Sequence, residues 1–218
     1  MTEIPENLFV TCEVVLDWPT LHEAQLRRNP EPKDKPQFTG TFLFTHDAMK
    51  SPEVAAILAG VHKAGVAHFG KAAFEAMVRE ESYASPFRKD LSAKGYDPDV
   101  YSRFITSAAN EAYPPGIFAR SGVAITEPRD IRAKFYAGCK VRVSIVPRAY
   151  GGGKTGYKPG IKLDMRNVQF LAEGERIVHS GASSGGNEFS KLPDEEVGGM
   201  PGTVDEGPDA EALTRMMG

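Results

Sequence analysis

Between Lys134 and Leu171, cations recur at every other position of two apolar runs. Lys140 and Arg142 alternate with Cys139, Val141, Val143 and Ile145, and Lys162 and Arg166 alternate with Ile161, Leu163 and Met165. A period of two turns one set toward a core and the other toward solvent. The stretch between the runs is glycine-rich and adds Arg148, Tyr150, Lys154, Tyr157 and Lys158. Cations that neutralise phosphates, set beside rings that stack on bases, make a surface suited to one nucleic-acid strand.

Other chemistry-bearing residues point to less. Gly151 to Thr155 reads GGGKT, but a phosphate-binding loop needs a glycine at position 148, which is Arg148, and a helix afterwards, where Pro159 stands. His22, His46, His62, His68 and His179 have no metal-ligand spacing, and no Cys-x-x-Cys or G-x-S-x-G occurs. No cofactor, metal site or catalytic residue is therefore expected. Cys12 and Cys139 fall at apolar strand positions and read as buried thiols rather than a disulfide framework. Trp18, the single tryptophan, reads as a buried anchor ending the first strand.

The overall charge of −3 hides a division. From Arg129 to Arg176, eleven basic residues face four acids, a net of +7; from Ile177 onward, eight acids face two basic residues, a net of −6. No run of about 18 apolar residues predicts a membrane span, and the N-terminus lacks a signal-peptide pattern, so an intracellular, cytoplasmic setting is expected.

These residues need a scaffold. Val10, Cys12, Val14 and Leu16 predict a first strand, and Phe38 to Thr45 a second. The loop joining them carries Arg27, Arg28, Lys33 and Lys35. Ser51-Pro52-Glu53 opens a long helix reaching about Glu81, with Gly60, Gly65 and Gly70 as weak points. Ser82 to Pro115 predicts irregular chain with helical pieces around Asp97 to Phe104, and Gly116 to Ile125 a third strand; the two basic runs complete five. The chain is thus mainly β with an α insertion: a five-stranded oligonucleotide-binding (OB) barrel over residues 1–177, with a long helix after its second strand. Residues 178–218, rich in Gly and acid, predict a disordered, flexible tail. In an OB barrel, ligand lies between the loops joining strands 1–2 and 4–5, and here both loops are basic.

The segment FYAGCKVRVSIVPRAY followed by GIKLDMRNVQFLAEGERI resembles a family of phage-type single-stranded-DNA-binding proteins with an OB-fold. The resemblance spans most of Leu8 to Ile177. It rests on Tyr136, Gly138 and Cys139; on Tyr150; on Gly160, Leu163 and Asn167-Val168-Gln169; on Gly174-Glu175; and upstream on Pro86, Arg88, Lys89 and Asp90. It implies non-catalytic binding and protection of single-stranded DNA in phage replication and recombination within a bacterial cytoplasm, with partner proteins met through the acidic tail. The expected DNA-binding residues are Arg27, Arg28, Lys35, Lys140, Arg142, Arg148, Tyr150, Lys154, Tyr157, Lys158, Lys162 and Arg166, with Tyr136 or Phe135 as further stacking rings. A virion or protein-interaction module and a metal-dependent nuclease remain the alternatives, and the oligomeric state stays open.

Overall fold

The computed structural model describes residues 6–27, 29–32, 34–152 and 158–179. Seven strands occur among them: β1 (Phe9–Val10), β2 (Val14–Asp17), β3 (Gln37–Thr45), β4 (Tyr101–Asn110), β5 (Gly116–Phe118), β6 (Lys140–Tyr150) and β7 (Gly160–Ala172). Three helices accompany them: α1 (Pro52–Phe69), α2 (Lys71–Arg79) and α3 (Pro128–Lys134). No described helix is long and apolar enough to cross a membrane.

Five strands close into a barrel. β2 pairs antiparallel with β3, β3 with β4 and β6 with β2. β4 runs parallel to β7, and β7 pairs antiparallel with β6 to complete the ring. This is the OB-fold. β1 and β5 are short additions at β6 and β7.

The interior holds Phe42 and Phe44 from β3, Ile105 from β4, Val141, Val143 and Ile145 from β6, and Leu163, Met165 and Val168 from β7. Val54, Ile57 and Val61 of α1 are buried in the same core. Ser51 caps α1 by accepting the Val54 N–H at 3.3 Å, and Pro52 supplies its first position.

The expected long helix is two. Gly70, at φ 84°, ends α1, a conformation that glycine reaches without steric cost. Gly60 and Gly65 do not break it: the rings of Phe9 and Phe74 sit where their Cβ atoms would be. The first strand is also divided: Thr11 to Glu13 are not strand, although the Thr11 N–H still donates to the Val143 carbonyl at 3.0 Å and its hydroxyl accepts the Val143 N–H at 3.0 Å.

The third barrel strand is β4, not Gly116 to Ile125, of which only Gly116–Phe118 is a strand and lies outside the ring. The helical pieces expected near Asp97 to Phe104 are absent, as Tyr101 to Phe104 belong to β4. The cause is burial on both faces. Ile105 points into the barrel, while Phe104 packs outside it with Leu43, Leu91 and Tyr96. Adjacent buried residues erase the alternation by which a strand is read.

Candidate nucleic-acid interface

The outer surface of β3, β4 and β7 carries two joined clefts. The first, about 790 Å³, lies against the loop between β2 and β3 and is lined by Trp18, Thr20, Arg27, Lys35, Thr39 and His179, among others. The second, about 630 Å³, includes Thr106, Tyr113, Arg148, Lys162, Asp164 and Arg166. Gln37 and Asn110 line both, so the two form one track across the barrel.

The loop is fixed at its base. Gln25 and Gln37 exchange backbone hydrogen bonds at 2.9 Å, and the Thr20 and Thr39 hydroxyls meet at 2.8 Å. On it, the Arg27 guanidinium pairs with Glu31 at 2.8 Å and also with Asp34, while Lys35 is exposed without an ion-pair partner among the described residues. At the other end, Asp164 holds Arg148 at 2.8 Å and Lys162 at 3.1 Å. Arg148 and Lys162 are cross-strand neighbours, and a cation pair would repel across that spacing; Asp164 offsets this. Arg166 is exposed at the bulge where β7 slips against β6 between Ser144 and Ile145.

Five expected DNA-binding residues therefore line the track: Arg27, Lys35, Arg148, Lys162 and Arg166. Lys140 and Arg142 line neither cleft. Lys140 pairs with Glu13 at 2.9 Å, and the Arg142 Nε donates to Gln169 Oε1 at 2.7 Å beside a separate hollow containing Leu8, Val10 and Phe118. Lys158 is exposed just before β7. Arg28, Lys33, Lys154 and Tyr157 lie outside the described residues.

The rings differ from expectation. Trp18 is no buried anchor: its side chain is 58% exposed and it faces the first cleft. Tyr113, 73% exposed in the second cleft, had no periodic signal because it sits in the turn after β4. Tyr150 is partly exposed, but its ring lies over Gly160, its cross-strand partner. Phe135 is buried in the core and cannot stack on a base. One face of Tyr136 is covered by the Arg176 guanidinium, 4.2 Å from the ring centroid, and its hydroxyl donates to Glu173. That contact raises the Tyr136 pKa, because the neighbouring carboxylate disfavours the phenolate.

The pattern described as "Enterobacter phage Enc34, ssDNA-binding protein" matches residues 8–198, most of the chain. The chain belongs to this family. Among solved structures it is similar to the single-stranded DNA-binding protein from bacteriophage Enc34 in complex with ssDNA, at 15% identity and TM-score 0.62, covering 80% of this chain and 91% of that one. A C-terminal truncation of the same phage protein gives 15% and 0.62, covering 79% and 90%. Gp2.5, a single-stranded DNA-binding protein encoded by bacteriophage T7, gives 11% and 0.56, covering 79% and 95%. At these identities the likeness establishes the fold. No curated protein matches the chain.

The residues that carried the resemblance have structural work to do. Gly138, at φ 109°, faces the Glu175 carbonyl so closely that a Cβ would collide with it, and Gly174 meets the Gly138 carbonyl in the same way. This backbone crossing leads the chain after β7 back past Ala137, whose carbonyl accepts the Ile177 N–H at 3.0 Å. Arg88 exchanges backbone hydrogen bonds with Phe104, its guanidinium lies 5.5 Å from that ring's centroid, and it pairs with Asp90 at 2.6 Å. The segment thereby clips Leu91 and Tyr96 onto β3 and β4.

Proposed function

We propose that this chain binds and protects single-stranded DNA without catalysing a reaction, in the replication and recombination of a phage inside its host's cytoplasm. The joined clefts carry the reading. They share Gln37 and Asn110 and carry cations at both ends, an arrangement that suits the backbone of one extended strand. Lys35, Arg148, Lys162 and Arg166 neutralise phosphates and release counterions. The exposed ring of Tyr113 supplies a stacking face within the groove, and Lys154, Tyr157 and Lys158 add two cations and a ring by their chemistry. The acidic residues after Ile177 compete for these cations when DNA is absent and meet protein partners.

Anisotropy titration of a labelled oligo(dT), against a blunt duplex of equal length, tests this at two salt concentrations. Single strands should bind more tightly, with log K falling steeply against log salt. Equal or tighter binding to the duplex would refute it.

A further inference from the structure

At the head of the track, Trp18 and His179 form a feature that phosphate neutralisation does not explain. The imidazole of His179 lies on the indole of Trp18, with ring centroids 4.2 Å apart and planes inclined by 23°. That is the spacing and tilt of two stacked aromatic groups. Beneath them, the fully buried Asp17 organises the pair. Its carboxylate accepts the Trp18 backbone N–H at 2.8 Å, the Tyr96 hydroxyl at 2.7 Å and His179 Nε2 at 3.0 Å. Trp18 has φ 46°, a left-handed conformation uncommon for a bulky residue. Strain of this kind persists where surrounding contacts impose it, and it clusters at ligand-binding positions. Here it turns a large ring outward into the cleft rather than into the core two residues away, where Leu16 is fully buried.

We propose that Trp18 is a base-stacking platform for the DNA strand, and that His179 occupies the place of that base in the free protein. This rests on the single-stranded DNA reading and adds to it a specific residue and a displacement step. An indole offers the widest π-face of any side chain, and stacking of this type tolerates every base. His179 is an apt substitute. It is a flat heteroaromatic ring whose polar contact is to one residue, the Asp17 carboxylate, with Tyr96 edge-on beside it, at the end of the segment that Ile177 anchors to Ala137. When a base takes its position, Asp17 keeps its bonds from Tyr96 and from the Trp18 N–H, so the platform stays formed while His179 swings away. The free protein is then competent only in the fraction of molecules with the ring uncovered, which weakens the apparent affinity by that fraction.

Trp18 is the only tryptophan, so its emission reports this site alone. The wild-type chain should be titrated with unlabelled oligo(dT) while Trp18 fluorescence is followed, and in parallel with a fluorescein-labelled oligo(dT) followed by anisotropy. Stacking predicts that Trp18 emission is quenched along the same binding curve. Trp18→Ala should weaken binding roughly 5- to 150-fold, the range for losing one stacked base, with Trp18→Phe in between. His179→Ala should tighten binding roughly 2- to 10-fold, the worth of one net hydrogen bond released. Anisotropy binding with unchanged Trp18 emission, or a folded Trp18→Ala variant that binds like wild type, overturns the platform and leaves the DNA reading standing. Unchanged affinity in His179→Ala overturns the displacement step. Absence of binding by anisotropy rejects the DNA reading itself, and the platform falls with it.

Discussion

Arg142 and Arg148 are equivalent by sequence pattern: both are exposed arginines on the outward register of β6. The structure predicts that only one of them matters for DNA. Six residues separate them, and a strand rises about 3.3 Å per residue, so they stand about 20 Å apart. The screening length at physiological salt is about 8 Å. Across about 20 Å the field of one charge therefore falls by roughly tenfold through screening alone, and Arg142 cannot assist a phosphate bound at Arg148. Arg148 lies in the track with Lys162 and Arg166, whereas Arg142 is committed to Gln169 beside another hollow. If Arg148 neutralises one phosphate, Arg148→Ala should flatten the slope of log K against log salt by about 0.7. Between 50 and 200 mM salt, that reduces the wild-type advantage by about 2.5-fold. Arg142→Ala should leave the slope at its wild-type value. Anisotropy titrations at four or more salt concentrations, on variants shown to be folded by circular dichroism, resolve the difference. Equal flattening by both substitutions would refute the assignment of the track to this end of the barrel.

Asp164 places a carboxylate among the groove cations, so Asp164→Asn should tighten binding to oligo(dT) and steepen its salt dependence; weaker binding would mean that Asp164 chiefly positions Arg148 and Lys162. Tyr113→Ala should weaken binding by about 1–3 kcal/mol with unchanged thermal stability, while Tyr150→Ala, which uncovers Gly160, should also cost up to about 1 kcal/mol of stability in urea denaturation. Burial pushes the Cys139 thiol up from 9.0 to about 12, so above pH 9 the unfolded chain releases a proton that the folded chain keeps. Stability should then fall by about 1.4 kcal/mol per pH unit between those values, and Cys139→Ala should remove that contribution in urea titrations at pH 8, 9.5 and 10.5. Truncation after Ser180 removes eight acids and two basic residues, and should tighten DNA binding most at low salt; superimposable titrations of the two chains would exclude competition by that segment.

The sequence by itself determined the elements whose signals are local. β6 and β7 alternate because one face is in the core and the other in water. The start of α1 was legible because Ser51 and Pro52 are capping residues acting within one turn. The two basic loops and the division of charge needed no structure, and the runs around Gly138 and Gly174 were enough to indicate the family.

Tertiary structure decided whatever depends on residues far apart in the chain. β4 was hidden because Leu91 and Tyr96 cover the face of Phe104 that would otherwise have been polar. Gly60 and Gly65 read as helix breakers until the rings of Phe9 and Phe74 were seen to need their missing side chains. Lys140 and Arg142 shared the pattern of Arg148, and only closure of the barrel sends them to a different part of its surface. Trp18 read as buried because its hydrophobic area favours burial. Around it meet Asp17, Tyr96 and His179, three residues far apart in the chain, with His179 brought there by the segment that follows β7.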